Sequence, residues 1–304
     1  MNIRNIVPEQ IERERLLPLR EKIAGLSEMK SEEQFFLNGI VRAVKPKKSL
    51  ELGVAAGGGS AIILNAIRDI DGATLHSVDY SERWYKDHRK RSGFVVGERF
   101  PDLYEKWNLY TGGVAARFCN DIGGGVDFCL IDTAHALPGE VLDFLMVCPL
   151  LREGAVVVLH DLCLHTWPRN RLRNEYASSL LFNALDDPKI TIRAVDPPML
   201  FPNIGAVRIE KHATEADYID DLLRFLTFPW KYVPLPEEAD EILRHFSKHY
   251  RSDQAEFLRR IFSFQRENDA TRLKRRLNGI ERFVRSTLVK PLRSLFERKS
   301  RDAG

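Results

Sequence analysis

The sequence predicts an α/β protein whose sheet is mostly parallel and covered by helices on both faces, and three observations predict it. Near-continuous apolar runs such as "VDFCLI" and "AVVVL" alternate with helix-like segments, the pattern of strands buried on both sides. A glycine-rich stretch, "GVAAGGGS", joins the first of these strands to the next helix. Three strand-like runs close on an acid, at Asp79, Asp132 and Asp161.

Each element follows from its pattern. The segment up to Val44 is helix-like. Within it, "SEEQFFLNGIVRAV" offers Ser31 as N-cap and Gln34 in the capping-box position. Phe36, Ile40, Val41 and Val44 then recur at helical spacing. "SLELGV" is a strand, and "SAIILNAIRDI" is a helix with Ile62, Ile63, Ala66, Ile67 and Ile70 on its apolar side. "ATLHSVDY", "WNLYTGG", "VDFCLID" and "GAVVVLHD" read as strands, with "GEVLDFLMVCPLL" as a helix before the last. "NRLRNEYASSLLFNAL" follows as a helix. "KITIRAVD" and "NIGAVRIEK" are strands joined by a Pro-rich loop too short for a crossover helix, so this pair is expected to be antiparallel. Beyond residue 212 only helix-like patterns remain. The expected organisation is a helical segment over 1–45, a ligand-binding domain over 46–212, and a C-terminal helical region over 213–304.

Composition narrows the class. The chain has 304 residues, 44% hydrophobic and 29% charged, a globular profile. No run approaches the ~20 apolar residues of a membrane-spanning helix, and no signal peptide is expected from "MNIRNIVPEQIERERLL". Cys119, Cys129, Cys148 and Cys163 form no CxxC pair and read as free thiols of a reducing compartment, so a cytoplasmic location is expected. Residues 271–304 hold eleven Lys or Arg against three Asp or Glu, a net +8, which leaves −5 on the rest. That excludes a basic nucleic-acid groove across the body. In the tail, Leu273, Leu277, Ile280, Val284, Leu288, Leu292 and Leu295 recur at helical steps opposite a basic face. Such a face suits a helix docked on its own body, an anionic lipid surface or a helix–helix contact. A place at the inner face of the membrane, and a homo-oligomer, are compatible with it.

The glycine loop poses the functional question. A phosphate-binding loop would need lysine where Gly59 stands. The dinucleotide frame fails too, because Ala55 or Ile62 stands where a glycine is required. What remains is Glu51, Gly53, Gly57 and Gly58 at the end of one strand and Asp79 at the end of the next. An acid at Asp79 can take ribose hydroxyls, Glu51 an ammonium group, and the glycine backbone a carboxylate. Those groups together describe S-adenosylmethionine better than a nicotinamide dinucleotide. The same glycines also suit a tight strand–helix turn with nothing bound. The candidate cofactor contacts are Glu51, Gly53, Val54, Ala55, Gly57, Ser60, Asp79, Tyr80, Gly112, Gly113 and Asp132.

A second group sits at two further strand ends. Asp132, His135, His160 and Asp161 are expected to converge beside the cofactor. Asp132 and Asp161, with His160, form a candidate set for a divalent cation, Mg²⁺ first and Mn²⁺ as the alternative. His135, with Asp132, is the candidate for proton transfer. A capping role for Asp132 and a supporting hydrogen bond for His135 are the alternatives. His165 and Trp167 are candidates for the substrate pocket, and Arg169, Arg171 and Arg173 for an anionic substrate or a solvated face.

The order "LELGVAAGGGS … LHSVDYSE … VDFCLIDTAH … PLLREGAVVVLHD … IGAVRIE", over residues 31–211, resembles class I S-adenosylmethionine-dependent methyltransferases. More narrowly it resembles bacterial small-molecule O-methyltransferases of the macrocin O-methyltransferase group. The resemblance implies a Rossmann-like, doubly wound seven-stranded sheet of order 3-2-1-4-5-7-6, with the last strand antiparallel and the added helical region after it. It also implies the cofactor over strands one and two, with "YTGGV" near the adenine. Positions matching Asp132 and Asp161 are metal ligands in that group, and the position matching His135 is a base candidate. Two departures stand out: Ala55 where a glycine is common, and His160 where an acid is common. The expected reaction is metal-assisted O-methylation of a small hydroxylated acceptor, a sugar or glycosylated molecule. The alternatives are a non-catalytic assembly or membrane-associated module on the same fold, and a hydroxylase-like relative.

Overall fold

The computed structural model describes residues 2–167, 174–193, 199–210, 213–215 and 217–284, with residues 213 and 270–284 described by backbone alone. Its helices are α1 (Leu17–Ile23), α2 (Ser31–Val44), α3 (Gly58–Ile67), α4 (Phe94–Arg99), α5 (Ala115–Ile122), α6 (Gly139–Val147), α7 (Ala177–Ala184), α8 (Tyr218–Phe225), α9 (Pro236–His249) and α10 (Ser252–Val284). Its strands are β1 (Lys48–Leu52), β2 (Thr74–Asp79), β3 (Trp107–Thr111), β4 (Val126–Ile131), β5 (Leu151–Leu159), β6 (Lys189–Thr191) and β7 (Gly205–Arg208). They form one sheet of order β3-β2-β1-β4-β5-β7-β6. β1 to β5 pair in parallel, and β7 runs antiparallel to both β5 and β6.

Register brings the strand ends level. Leu52 is paired with Ile131, and Ile131 with Leu159. The ladder continues one residue further, through Gly53 N to Val78 O, Asp132 N to Leu52 O and His160 N to Ile131 O. Gly53, Asp132 and His160 therefore leave the sheet side by side, at the edge where doubly wound folds place their ligands.

One core face is built by Phe35, Phe36, Ile40 and Val41 of α2 with Ile62 and Ile63 of α3, against Leu130 and Val158 of the sheet. Ile3, Leu16, Leu19 and Ile23 belong to the same cluster, so the N-terminal segment is part of this core. On the far side, Phe144 of α6 meets Tyr218 of α8, and the Tyr250 hydroxyl donates to the Leu145 carbonyl at 2.6 Å. These contacts tie α6 to α8 and to the residue that follows α9. The first compact unit runs through Leu258. The second unit, 259–304, is described to residue 284 as the remainder of α10. The tail from 285, with Leu288, Leu292 and Leu295, lies outside the described residues, as do Arg169, Arg171 and Arg173. No helix among the described residues is long and apolar enough to cross a membrane.

Local differences have local causes. Ser31 is the first residue of α2 instead of its cap; the cap is Lys30, whose N–H is taken by Glu33 at 2.6 Å. α4 and α5 supply the crossovers on either side of β3, which parallel pairing requires. Both are short. α5 shows its apolar side only through Ala115, Cys119 and Ile122. The four cysteines are buried and free.

Candidate active site

The loop after β1 is shaped by close approach. Gly53 has φ +88°, and a Cβ there would lie 1.8 Å from the Asp132 carbonyl oxygen. Any side chain would separate the ends of β1 and β4. Beneath the loop, Glu51 is 1% exposed, and its Oε2 accepts from the Ser60 and Ser77 hydroxyls at 2.6 Å each. Burial pushes its carboxyl up to about 7, against the pull of the two serines. Asp79 ties the loop to the next strand end. Its Oδ2 accepts from Val54 N at 3.1 Å and Ala55 N at 2.9 Å, and its Oδ1 from Ser81 N at 2.8 Å.

The second cluster is bracketed by carboxylates from elsewhere in the chain. His135 Nδ1 lies 2.8 Å from Glu140 Oε1, and its Nε2 lies 3.1 Å from Asp161 Oδ2. His160 is 2% exposed, with Nδ1 3.3 Å from Asp132 Oδ1 and Nε2 3.1 Å from Glu33 Oε2. Asn203 Nδ2 donates to Asp161 Oδ1 at 2.9 Å and to Glu33 Oε1 at 3.1 Å. His135 (φ +47°) and Asp161 (φ +56°) are both left-handed. Non-glycine residues in that region carry strain on the order of 1–3 kcal/mol each, a feature concentrated at functional sites.

The electrostatics follow from this packing. Burial disfavours a charged His135, but Glu140, Asp161 and Asp132 outweigh it and push the imidazole up to about 10. His160 is raised as well, burial again being overcome by Asp161 and Asp132. Asp161 is lowered despite its burial by the two histidines and Asn203. The carboxylates on either side thus favour the protonated ring, and a cation bound at Asp132 and Asp161 would displace that proton from Nε2. Glu140 and Asp161 hold the ring between them.

Both groups open on one cleft of about 1020 Å³. Glu51, Gly53, Val54, Ala55, Asp79, Tyr80 and Gly113 line it, as do Asp132, His135 and Asp161. Four candidates do not. Gly57 forms the turn before α3, at φ +99°. The Ser60 hydroxyl is turned down onto Glu51, and Gly112 packs against Glu82. His160 lies behind Asp132 and Asp161, held by Glu33. His165 is 5.8 Å from Phe201, ring to ring, and its neighbour Leu164 is the residue of that turn on the cleft wall.

Sequence reasoning missed Glu33, Glu140, Asn203 and Asp143, whose Oδ2 accepts from the Thr133 hydroxyl at 2.6 Å. The only local signal was an acid five residues after His135. It also missed the cleft wall formed by Tyr232, Leu235, Glu238 and Ile242, from the region after the sheet.

A seven-stranded sheet with a single reversed strand next to its edge, and a glycine loop and acid at its first two strand ends, is the architecture of class I S-adenosylmethionine-dependent methyltransferases. Residues 50–162 match the family described as a methyltransferase domain. The matched stretch spans β1 to β5 and ends just past Asp161. No curated protein matches the chain. Among solved structures, the O-methyltransferase TomG from Streptomyces achromogenes, in complex with S-adenosylmethionine, is similar at 15% identity. It covers 65% of this chain and 90% of its own, with a TM-score of 0.48. A methyltransferase from Podospora anserina, bound to S-adenosylhomocysteine, is 15% identical over 65% and 88%, with a TM-score of 0.48. An O-methyltransferase from Bacillus cereus is 15% identical over 65% and 90%, with a TM-score of 0.45.

Proposed function

We propose that the protein transfers the methyl group of S-adenosylmethionine to a hydroxyl of a small polyhydroxylated acceptor, with help from a divalent cation. One observation carries this reading: the glycine loop and the Asp132–His135–Asp161 cluster line the same cleft. The cleft volume suits a cofactor together with a small acceptor, since drug-sized sites run to roughly 1000 Å³.

The residues have distinct work. Glu51 presents a carboxyl under the loop, where an ammonium group can meet it, and Asp79 sets the loop's backbone. Tyr80, Gly113 and Glu238 also border the cleft. Transfer needs an oxygen nucleophile in line with the S–CH3 bond, and holding that geometry supplies much of the rate. Asp132, His135 and Asp161 each offer one donor atom, all within 4.8 Å of one another. Two carboxylate oxygens and one imidazole nitrogen fit a divalent cation, Mn²⁺ as readily as Mg²⁺. A cation bound there would lower the pKa of an acceptor hydroxyl. Asp132 and Asp161 orient that hydroxyl, and the surrounding walls exclude water.

The test is a calorimetric titration of the full chain with S-adenosylhomocysteine. It is followed by transfer from radiolabelled S-adenosylmethionine to a panel of polyhydroxylated acceptors, with and without chelator. Binding at one site per chain is expected. Absence of S-adenosylhomocysteine binding would refute the cofactor assignment, and transfer indifferent to chelator would refute the cation.

A further inference from the structure

We infer that His135, and not His160, is the nitrogen ligand of the cation site formed with Asp132 and Asp161, and that Glu140 is the positioning residue that aims it. The inference rests on the transferase reading above and specifies its site.

The two histidines are held in opposite ways. A metal-binding imidazole uses one nitrogen for the ion and has the other fixed by a carboxylate or carbonyl, which sets its tautomer and direction. His135 meets that description. Its Nδ1 is held by Glu140 at 2.8 Å, and its Nε2 points along the cleft wall toward Asp161 at 3.1 Å. His160 has both nitrogens against carboxylates, Asp132 on one side and Glu33 on the other, and it does not reach the cleft. It braces Asp132 and Asp161 from behind.

Glu140 is the independent sign that His135 is aimed for a purpose. Its side chain is fully buried, and its Oε2 has no hydrogen-bond partner among the described residues. Burying a carboxylate with few partners is costly, and the partner among the described residues is His135. The strained φ of His135 is fixed as well, by Ala177 N donating to its carbonyl at 3.0 Å. Two costly features converge on the direction of one ring.

The experiment titrates the full chain with Mn²⁺, by calorimetry and electron paramagnetic resonance, in wild type, Glu140→Gln and His135→Asn. Asparagine is chosen because it tolerates a left-handed backbone. Glu140→Gln is expected to weaken Mn²⁺ about 10- to 100-fold, as loss of such a supporting partner does elsewhere, with S-adenosylhomocysteine affinity unchanged. Spin-echo modulation from a directly bound nitrogen is expected in wild-type Mn²⁺ protein and lost in His135→Asn. Equal Mn²⁺ affinity in Glu140→Gln, or nitrogen modulation that persists in His135→Asn, would overturn the assignment. Wild type that binds no Mn²⁺ overturns it too, and S-adenosylhomocysteine binding in that same sample shows whether the transferase reading survives on its own.

Discussion

Glu51→Gln isolates the energetic consequence of burying a carboxyl beneath the glycine loop. The native carboxyl is raised from 4.5 to about 7 by burial. The folded protein therefore holds a proton that the unfolded chain has lost. Stability from this residue is highest below pH 4.5, falls as pH rises toward 7, and is level above that. The rise corresponds to about 3 kcal/mol between the two limits, and to about 2.5 kcal/mol over the interval from pH 5 to pH 8. Glutamine keeps an acceptor for Ser60 and Ser77 but has no charge to desolvate. Urea unfolding of the ligand-free protein at several pH values measures both profiles. Asp143 is also raised to about 7 by burial, but it is present in both proteins, so the difference between them belongs to Glu51. Wild type should lose about 2.5 kcal/mol relative to the variant between pH 5 and pH 8. Parallel profiles would refute the account of Glu51 as a buried, proton-holding carboxyl.

Three further outcomes follow from the same geometry. Gly53→Ala drives a Cβ into the Asp132 carbonyl at 1.8 Å and strains a φ of +88°; it should lower stability by about 1–3 kcal/mol or more and abolish S-adenosylhomocysteine binding, and a variant with wild-type melting and calorimetry would contradict the close approach. All four cysteines are buried, and burial pushes the Cys119 and Cys163 thiols up to about 12 and about 11; native protein should react slowly with a thiol reagent and release four equivalents on unfolding, whereas a fast native phase would point to an accessible thiolate. The basic stretch 271–304 should carry the full chain into the floating fraction with anionic vesicles, and identical flotation after its deletion would exclude a lipid role.

The parts legible in the sequence were those written locally. Glu51, Gly53 and Asp79 announce themselves because a short apolar run, a glycine turn and an acid fall within thirty residues or so. β6 and β7 were readable as a reversed pair because their connection is too short for a helix. The crossover helices α4 and α5 were not, since six and eight residues show too little of a helical period. The partners of the two histidine rings were hidden for a different reason. Ring direction is set by buried partners, and Glu33 reaches His160 across 127 positions of sequence. The packing of the helices after residue 213 was hidden in the same way. Tyr218, Ile219, Leu222 and Phe246 announce apolar helix faces, but nothing in their spacing says that they cover this sheet domain.

The brace between Glu33 and His160 bears on how the protein can be trimmed. A fragment cut to residues 50–162 would contain every cleft-lining ligand proposed here, yet it would lack α2 altogether. Excision would uncover the inner surface where Phe36 and Ile40 rested and strip one of the carboxylates from a deeply placed imidazole. Such a piece should emerge from cells as insoluble material, whereas a cut that spares the first 258 residues should stay in solution.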